Sequence, residues 1–193
     1  MAAGQSLIVL DRDGVLNRLV DNPAEPRPDS PMRATEVAVF PWVAATLAEL
    51  TRAGFGLVVA SNQPAAAKGK TTRTDLEAAH AAVLRQATAS GAVILSSHVC
   101  FHRAEDGCRC RKPAVGLLEE AFAAHPEFAV DRSWMVGDRA VDVIAGAAFG
   151  LRTALVAAEP AEASTLASRA LRPSFAGRDL RDFADFLLRP PPR

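Results

Sequence analysis

Five short, almost unbroken apolar runs are spaced along the chain: SLIVL (6–10), FGLVVAS (55–61), AVILSSHV (92–99), WMVGD (134–138) and RTALV (152–156). Their length suits β-strands, and their lack of alternation suits strands covered on both faces. Between them apolar residues recur at helical spacing: Val43, Leu47 and Leu50, then Leu76, Ala79, Val83, Leu84 and Ala87, then Val115, Leu118 and Phe122. Pro41 stands where a helix can begin, Gly54 and Gly91 lie just past helix ends, and Thr74 with Glu77 has the spacing of a capping box. LRDFADFLL (180–188) predicts a closing helix, with a frayed RPPPR tail at 189–193. This alternation predicts an α/β fold with a mostly parallel central sheet and helices on both faces. In such folds ligands sit beyond the carboxyl ends of the strands.

Two stretches lack a period. Residues 17–36 hold four prolines and predict a long surface loop on the substrate side, and 160–174 gives no clear element. A length of 193 residues, 49% of them hydrophobic, suits one domain over 1–193. Lys+Arg and Asp+Glu both number 22, and only 6% of residues are aromatic, so no nucleic-acid partner is expected. No run approaches the length of a membrane span, and the first residues lack a basic leader, so a cytoplasmic protein with no membrane partner is expected, acting as a monomer.

The candidate chemistry follows the predicted strands. Asp11 and Asp13 in VLDRDGVLN come directly after the first run, where residues two apart can face one site. Two carboxylates in one pocket repel unless a cation or a shared proton relieves them, and hard oxygen donors suit Mg²⁺; the alternative is a turn whose aspartates cap a helix. Ser61 and Asn62 end the second run, where a hydroxyl and a backbone N–H can bind a phosphate oxygen. Lys112 in RKP offers a point charge, while Asp138 closes the WMVGD run and Asp142 follows one helical turn later.

With these four segments in this order, the sequence resembles the haloacid dehalogenase-like phosphotransferases over roughly residues 6–156. The resemblance implies that Asp11 is a nucleophile forming an aspartyl-phosphate, and that Asp13 protonates the leaving oxygen and later activates water. It also implies that Ser61 and Lys112 hold the transferring phosphoryl group. Asp11, the backbone carbonyl of Asp13, and Asp138 would bind Mg²⁺. Asp142 would orient Lys112 or a metal-bound water.

Cys100, His102, Cys108 and Cys110 form C-x-H-x5-C-x-C, and four soft or borderline donors without an oxygen suit a closed, tetrahedral, structural Zn²⁺ site. A Cys108–Cys110 redox pair or three reduced thiols are the alternatives; His98 is near but lies in a predicted strand. Such a zinc loop (100–110) just ahead of Arg-Lys-Pro is similar to that of the branch containing the heptose-1,7-bisphosphate 7-phosphatases and histidinol-phosphate phosphatases. That resemblance implies a Rossmann-like three-layer sandwich without a large cap domain, and assigns Arg111 to a second substrate phosphate. The run Asn62-Gln63-Pro64-Ala65-Ala66-Ala67-Lys68-Gly69 departs from the branch's usual glycine- and arginine-containing segment.

The expected function is a Mg²⁺-dependent phosphatase for a small phosphorylated metabolite, best matched by D-glycero-D-manno-heptose 1,7-bisphosphate. A histidinol-phosphate or broader sugar-phosphate phosphatase is the enzymatic alternative. A zinc-stabilised binding module is the non-enzymatic one.

Overall fold

The computed structural model describes residues 6–21, 28–156 and 159–189. The amino-terminal five residues, the middle of the proline-rich loop (22–27) and the tail beyond 189 lie outside the described residues, so the expected leaderless start and frayed end are not addressed.

Six strands form one sheet: β1 (Leu7–Leu10), β2 (Gly56–Asn62), β3 (Ser96–Cys100), β4 (Trp134–Gly137), β5 (Arg152–Val156) and β6 (Phe175–Gly177). Their order is β3-β2-β1-β4-β5-β6, and every neighbouring pair is parallel. The helices are α1 (Val43–Arg52), α2 (Arg73–Ala87), α3 (Gly116–Ala124), α4 (Ala140–Phe149), α5 (Pro160–Ser168) and α6 (Leu180–Leu188).

The unbroken apolar runs follow from burial on two faces. Ile8 and Leu10 of β1 share a core with Leu57, Val59 and Val136, which packs against Val43, Leu47 and Leu50 of α1 and Phe183 of α6. Leu7 and Val9 point the other way, joining Val58, Ala60 and Met135 beneath Leu117, Leu118 and Ala121 of α3 and Ala145 of α4. Each β1 residue is fully buried, worth about 1.5–3 kcal/mol per large apolar side chain. Trp134 anchors the first core, with its ring edge-on to Phe183 at 5.2 Å.

Several expectations shift. The third apolar run begins before its strand: β3 starts at Ser96, while Val93 and Leu95 are 52% and 42% exposed beside this edge strand. Pairing with β2, not apolarity, sets the start, since Val58 aligns with Ser96. The unassigned 160–174 segment contains α5, whose one buried residue is Leu166, too little for a readable apolar stripe. The short β6 follows it. The N-cap of α2 is Thr72, whose hydroxyl accepts from the Asp75 N–H; the expected Glu77 instead pairs with Arg73 at 2.8 Å. α3 begins at Gly116, after a turn that follows Pro113.

The described part of the long loop folds back on the domain. Bridges join Asn17 to Val39 and Val20 to Asp29, Asp29 pairs with Lys70 at 2.9 Å, and a 3₁₀ turn at Ala34–Glu36 rests on α2. Among the described residues no insertion forms a cap domain, and no helix is long and apolar enough to cross a membrane.

Candidate active site

The chain runs outward from β1 through β2 to β3, then crosses to β4 and runs outward the other way. This reversal between β1 and β4 leaves a crevice at their carboxyl ends. The two strands stay joined up to its floor, where the Asp11 N–H donates to the Val136 carbonyl at 2.8 Å. Asp11 and Asp13 leave β1, Ser61 is the last residue but one of β2, and Asp138 follows β4 directly.

Lys112 arrives from the loop after β3 and is 3% exposed. Its ammonium lies 2.9 Å from Asp11 Oδ1 and 2.6 Å from Asp142 Oδ1, and donates to the Ala60 carbonyl at 2.7 Å. Asn62 holds the loop: its Nδ2 donates to the Lys112 carbonyl at 3.0 Å, and its Oδ1 accepts from the Lys112 N–H at 3.1 Å. Expected among substrate-binding groups, the Asn62 amide thus has both ends engaged with backbone.

Asp13 is gripped from three sides. The fully buried Arg12 reaches both oxygens at 3.0 Å, Asn17 Nδ2 donates to Oδ1 at 2.8 Å, and Gln63 Nε2 donates to Oδ2 at 2.6 Å. Gln63 also donates to Ser61 Oγ at 2.9 Å, linking two candidate groups. The sequence reading gave no site role to Arg12, Asn17 or Gln63. For Arg12 and Gln63 the signal was weak but present, a long polar side chain just past a buried strand; Asn17 carried none.

Asp11, Asp138 and Asp142 bring one carboxylate oxygen each within 4.8 Å of one another. Burial, then repulsion from Asp11 and Asp142, lifts the Asp138 carboxyl to about 8. Burial lifts Asp11 to about 6, with Lys112 opposing and Asp142 and Asp13 adding. Burial acts against the Lys112 charge, yet Asp11 and Asp142 outweigh it and hold the ammonium above its usual range. Asp138 Oδ1 is buried without a hydrogen-bond partner. Three converging carboxylates that resist ionising together, one with an unsatisfied acceptor, fit a divalent cation such as Mg²⁺, which would relieve their mutual repulsion. Two glycines make room: a Cβ on Gly14, at φ +81°, would overlap the Asp138 carboxylate, and one on Gly137 would overlap that of Asp142.

The cysteine cluster lies beside this crevice. Sulfur separations are 3.1 Å (Cys100–Cys110), 3.5 Å (Cys108–Cys110) and 3.7 Å (Cys100–Cys108), and His102 Nδ1 lies 3.5 and 3.3 Å from Cys100 and Cys110. A zinc tetrahedron with Zn–S near 2.3 Å has edges of about 3.8 Å; the four donors are gathered at or inside that spacing, so the set suits such an ion once the Cys100–Cys110 pair opens by a fraction of an ångström. All three cysteines are free thiols, and burial followed by its two sulfur neighbours pushes Cys110 up to about 12. His98 contacts Ser96 at 2.9 Å and Glu120 at 3.4 Å, outside the cluster. The Gln63 N–H donates to the Cys100 carbonyl at 2.7 Å, extending the sheet pairing from the cluster to the residue that holds Asp13.

Arg111 is half-buried and donates to the His102 carbonyl at 3.3 Å. With Arg103, Cys108 and Lys112 it lines a small cavity of about 130 Å³ between the cysteine loop and the crevice.

A HAD-hydrolase-like family model matches residues 109–183. The chain is 34% identical over 151 residues to the D-glycero-beta-D-manno-heptose-1,7-bisphosphate 7-phosphatase of Pseudomonas putida, covering 78% of this chain and 81% of that one. It is 31% identical to the histidine biosynthesis bifunctional protein HisB of Legionella pneumophila, over 72% of this chain and 37% of that one. Its fold is similar to the crystal structure of D,D-heptose 1,7-bisphosphate phosphatase from B. bronchiseptica complexed with magnesium and phosphate. That match has a TM-score of 0.79 and 31% identity, over 95% of this chain and 98% of that one.

Proposed function

The chain belongs to the haloacid dehalogenase-like phosphatases, and from that premise we propose that it hydrolyses the 7-phosphate of D-glycero-D-manno-heptose 1,7-bisphosphate at the crevice between β1 and β4. The observation that carries the site assignment is Lys112 buried 2.9 Å from Asp11, with Asp13 and Asp138 beside them.

In this reading an Asp11 oxygen attacks phosphorus, forming an aspartyl-phosphate as the bond to the sugar oxygen breaks. Asp13 gives its proton to that oxygen, because an alkoxide leaves poorly unless protonated. Asp13 then takes a proton from water as it attacks phosphorus, and inorganic phosphate and free Asp11 result. Lys112 and Ser61 hold the phosphoryl oxygens, and Asp142 holds Lys112. Asn62 acts through the Lys112 backbone instead of touching substrate.

Asp11 and Asp138, with the Asp13 backbone carbonyl, would hold Mg²⁺. Bound there, the ion neutralises phosphoryl oxygens that would otherwise repel the attacking carboxylate. Cys100, His102, Cys108 and Cys110 would hold Zn²⁺, a closed set leaving no position for substrate. Arg111 would bind the second phosphate at the pocket rim, where a guanidinium fork suits two phosphate oxygens. The chain would act as a single-domain cytoplasmic monomer on this small metabolite.

The relatives named HisB favour a second reading, histidinol phosphate as substrate. Phosphate release with Mg²⁺ from heptose and hexose bisphosphates, histidinol phosphate and nucleotide monophosphates, compared as kcat/KM, tests the choice. The highest value should belong to the heptose bisphosphate; a higher one for histidinol phosphate reverses the assignment.

A further inference from the structure

The two oxygens of Asp13 are held unequally. Oδ1 accepts from Arg12 Nε and Nη2 at 3.1 and 3.0 Å and from Asn17 Nδ2 at 2.8 Å, all from the same short segment. Oδ2 accepts from Arg12 Nη2 at 3.0 Å, and its other contact, Gln63 Nε2 at 2.6 Å, comes from the segment that follows the neighbouring strand β2. The second Nε2 hydrogen points to Ser61 Oγ at 2.9 Å. One amide nitrogen therefore bridges the carboxylate on the leaving-group side and the hydroxyl on the phosphoryl side.

Packing alone gives little reason for a glutamine at this position. It is 1% exposed, and its Oε1 is buried without a partner, an arrangement that costs free energy. With Asp13 ionised, as it is once its proton has been given up, the opposite amide orientation would set Oε1 against the carboxylate, whereas the observed one donates to it. The useful end of the side chain is its N–H₂.

We propose that Gln63 is a positioning residue that sets the Asp13 oxygen used for proton transfer at a fixed place relative to Ser61. This rests on the reading of Asp13 as the general acid. Protonation of the leaving oxygen is steeply distance-dependent, so loosening Oδ2 weakens acid catalysis in particular. The loss should grow with the basicity of the leaving group. A nitrophenolate leaves without a proton, whereas an alkoxide does not.

The test is kcat/KM for nitrophenyl, phenyl and alkyl phosphates in the native enzyme, Gln63→Met, Gln63→Leu and Asp13→Asn, with Mg²⁺ present and folding checked by circular dichroism. Methionine keeps the length and volume while removing the donors and the orphaned oxygen, so Gln63→Met should fold even if Gln63→Leu does not. The methionine variant is expected to lose about 10- to 100-fold on the alkyl ester, a part of the roughly 10²- to 10⁴-fold that general acid catalysis supplies, and several-fold less on the nitrophenyl ester. Asp13→Asn should show the same trend more strongly. Equal losses across the series in Gln63→Met, while Asp13→Asn discriminates, overturn the positioning role and leave Asp13 as the acid. Equal losses in Asp13→Asn as well overturn the acid assignment itself.

Discussion

Asn62 and Lys112, fifty positions apart, exchange two hydrogen bonds at 3.0 and 3.1 Å between one side-chain amide and one backbone unit. This ring fixes where the lysine side chain departs, and so how its ammonium meets Asp11. Asn62→Leu should therefore lower kcat more than it raises KM, by about 10-fold, since misplacement by a fraction of an ångström is costly in such sites. Steady-state kinetics check it; a pure KM effect would return Asn62 to the substrate-binding groups.

Asp11→Asn keeps the shape of the side chain but removes the attacking oxygen's charge. Turnover should fall by at least about 10³-fold, the scale of losing a nucleophile, while circular dichroism stays native. Rapid-quench detection of an acid-stable phosphoprotein should succeed with the native chain and fail with this variant. Substantial Mg²⁺-dependent hydrolysis by the variant would refute covalent catalysis through Asp11.

The raised carboxyls predict a pH dependence with a definite sign. Asp138 titrates near 8 in the folded chain, against about 3.9 in an unfolded one. Between those values the native state binds more protons, so stability without Mg²⁺ falls as pH rises through the window. Mg²⁺ must displace the same protons, so its affinity should rise with pH up to about 8. Thermal melts without Mg²⁺ and calorimetric titrations in buffers of different ionisation enthalpy measure both. A pH-independent Mg²⁺ affinity would count against Asp138 as a ligand.

Zinc should be present at one ion per chain by elemental analysis. Stripping it with a thiol-selective reagent should lower the melting temperature before it lowers activity per folded molecule, because the cluster touches no reacting atom. Zinc-free protein with three freely reactive thiols and an unchanged melting temperature would contradict the site.

Arg111→Ala separates the rim from the chemistry. A bisphosphate should lose about 10- to 100-fold in kcat/KM, the scale of a charge-assisted contact, and a monophosphate much less. Equal losses would remove Arg111 from the second-phosphate role.

Five of the six strands and most helices were legible because burial on both faces writes itself as unbroken apolar runs, and LRDFADFLL matched α6 residue for residue; the three-residue β6 was too short to show. The start of β3 was not, because Val93 and Leu95 are apolar yet exposed at an edge, and only the partner strand reveals that. α5 buries Leu166 alone, so nothing periodic could show. In the site, Asp11, Asp13, Ser61 and Asp138 were visible because each ends a strand. Gln63 was hard to place, since what matters is the carboxylate it reaches, and no spacing rule encodes a contact 50 residues apart; Arg12 stands next to Asp13, but sequence alone does not say that its side chain turns back onto that neighbour.

The cysteine loop is moored at both ends to the crevice: its first cysteine accepts from the backbone of Gln63, and two residues past its last stands Lys112. Anyone grafting a different rim onto this scaffold to change its substrate therefore has a fixed frame to respect. Residues 103–107 can be swapped or lengthened at the exposed turn, whereas a single insertion between Cys110 and Lys112 would drag the ammonium away from Asp11. Any freedom to vary the rim lies in the span between His102 and Cys108, and the moorings set its limits.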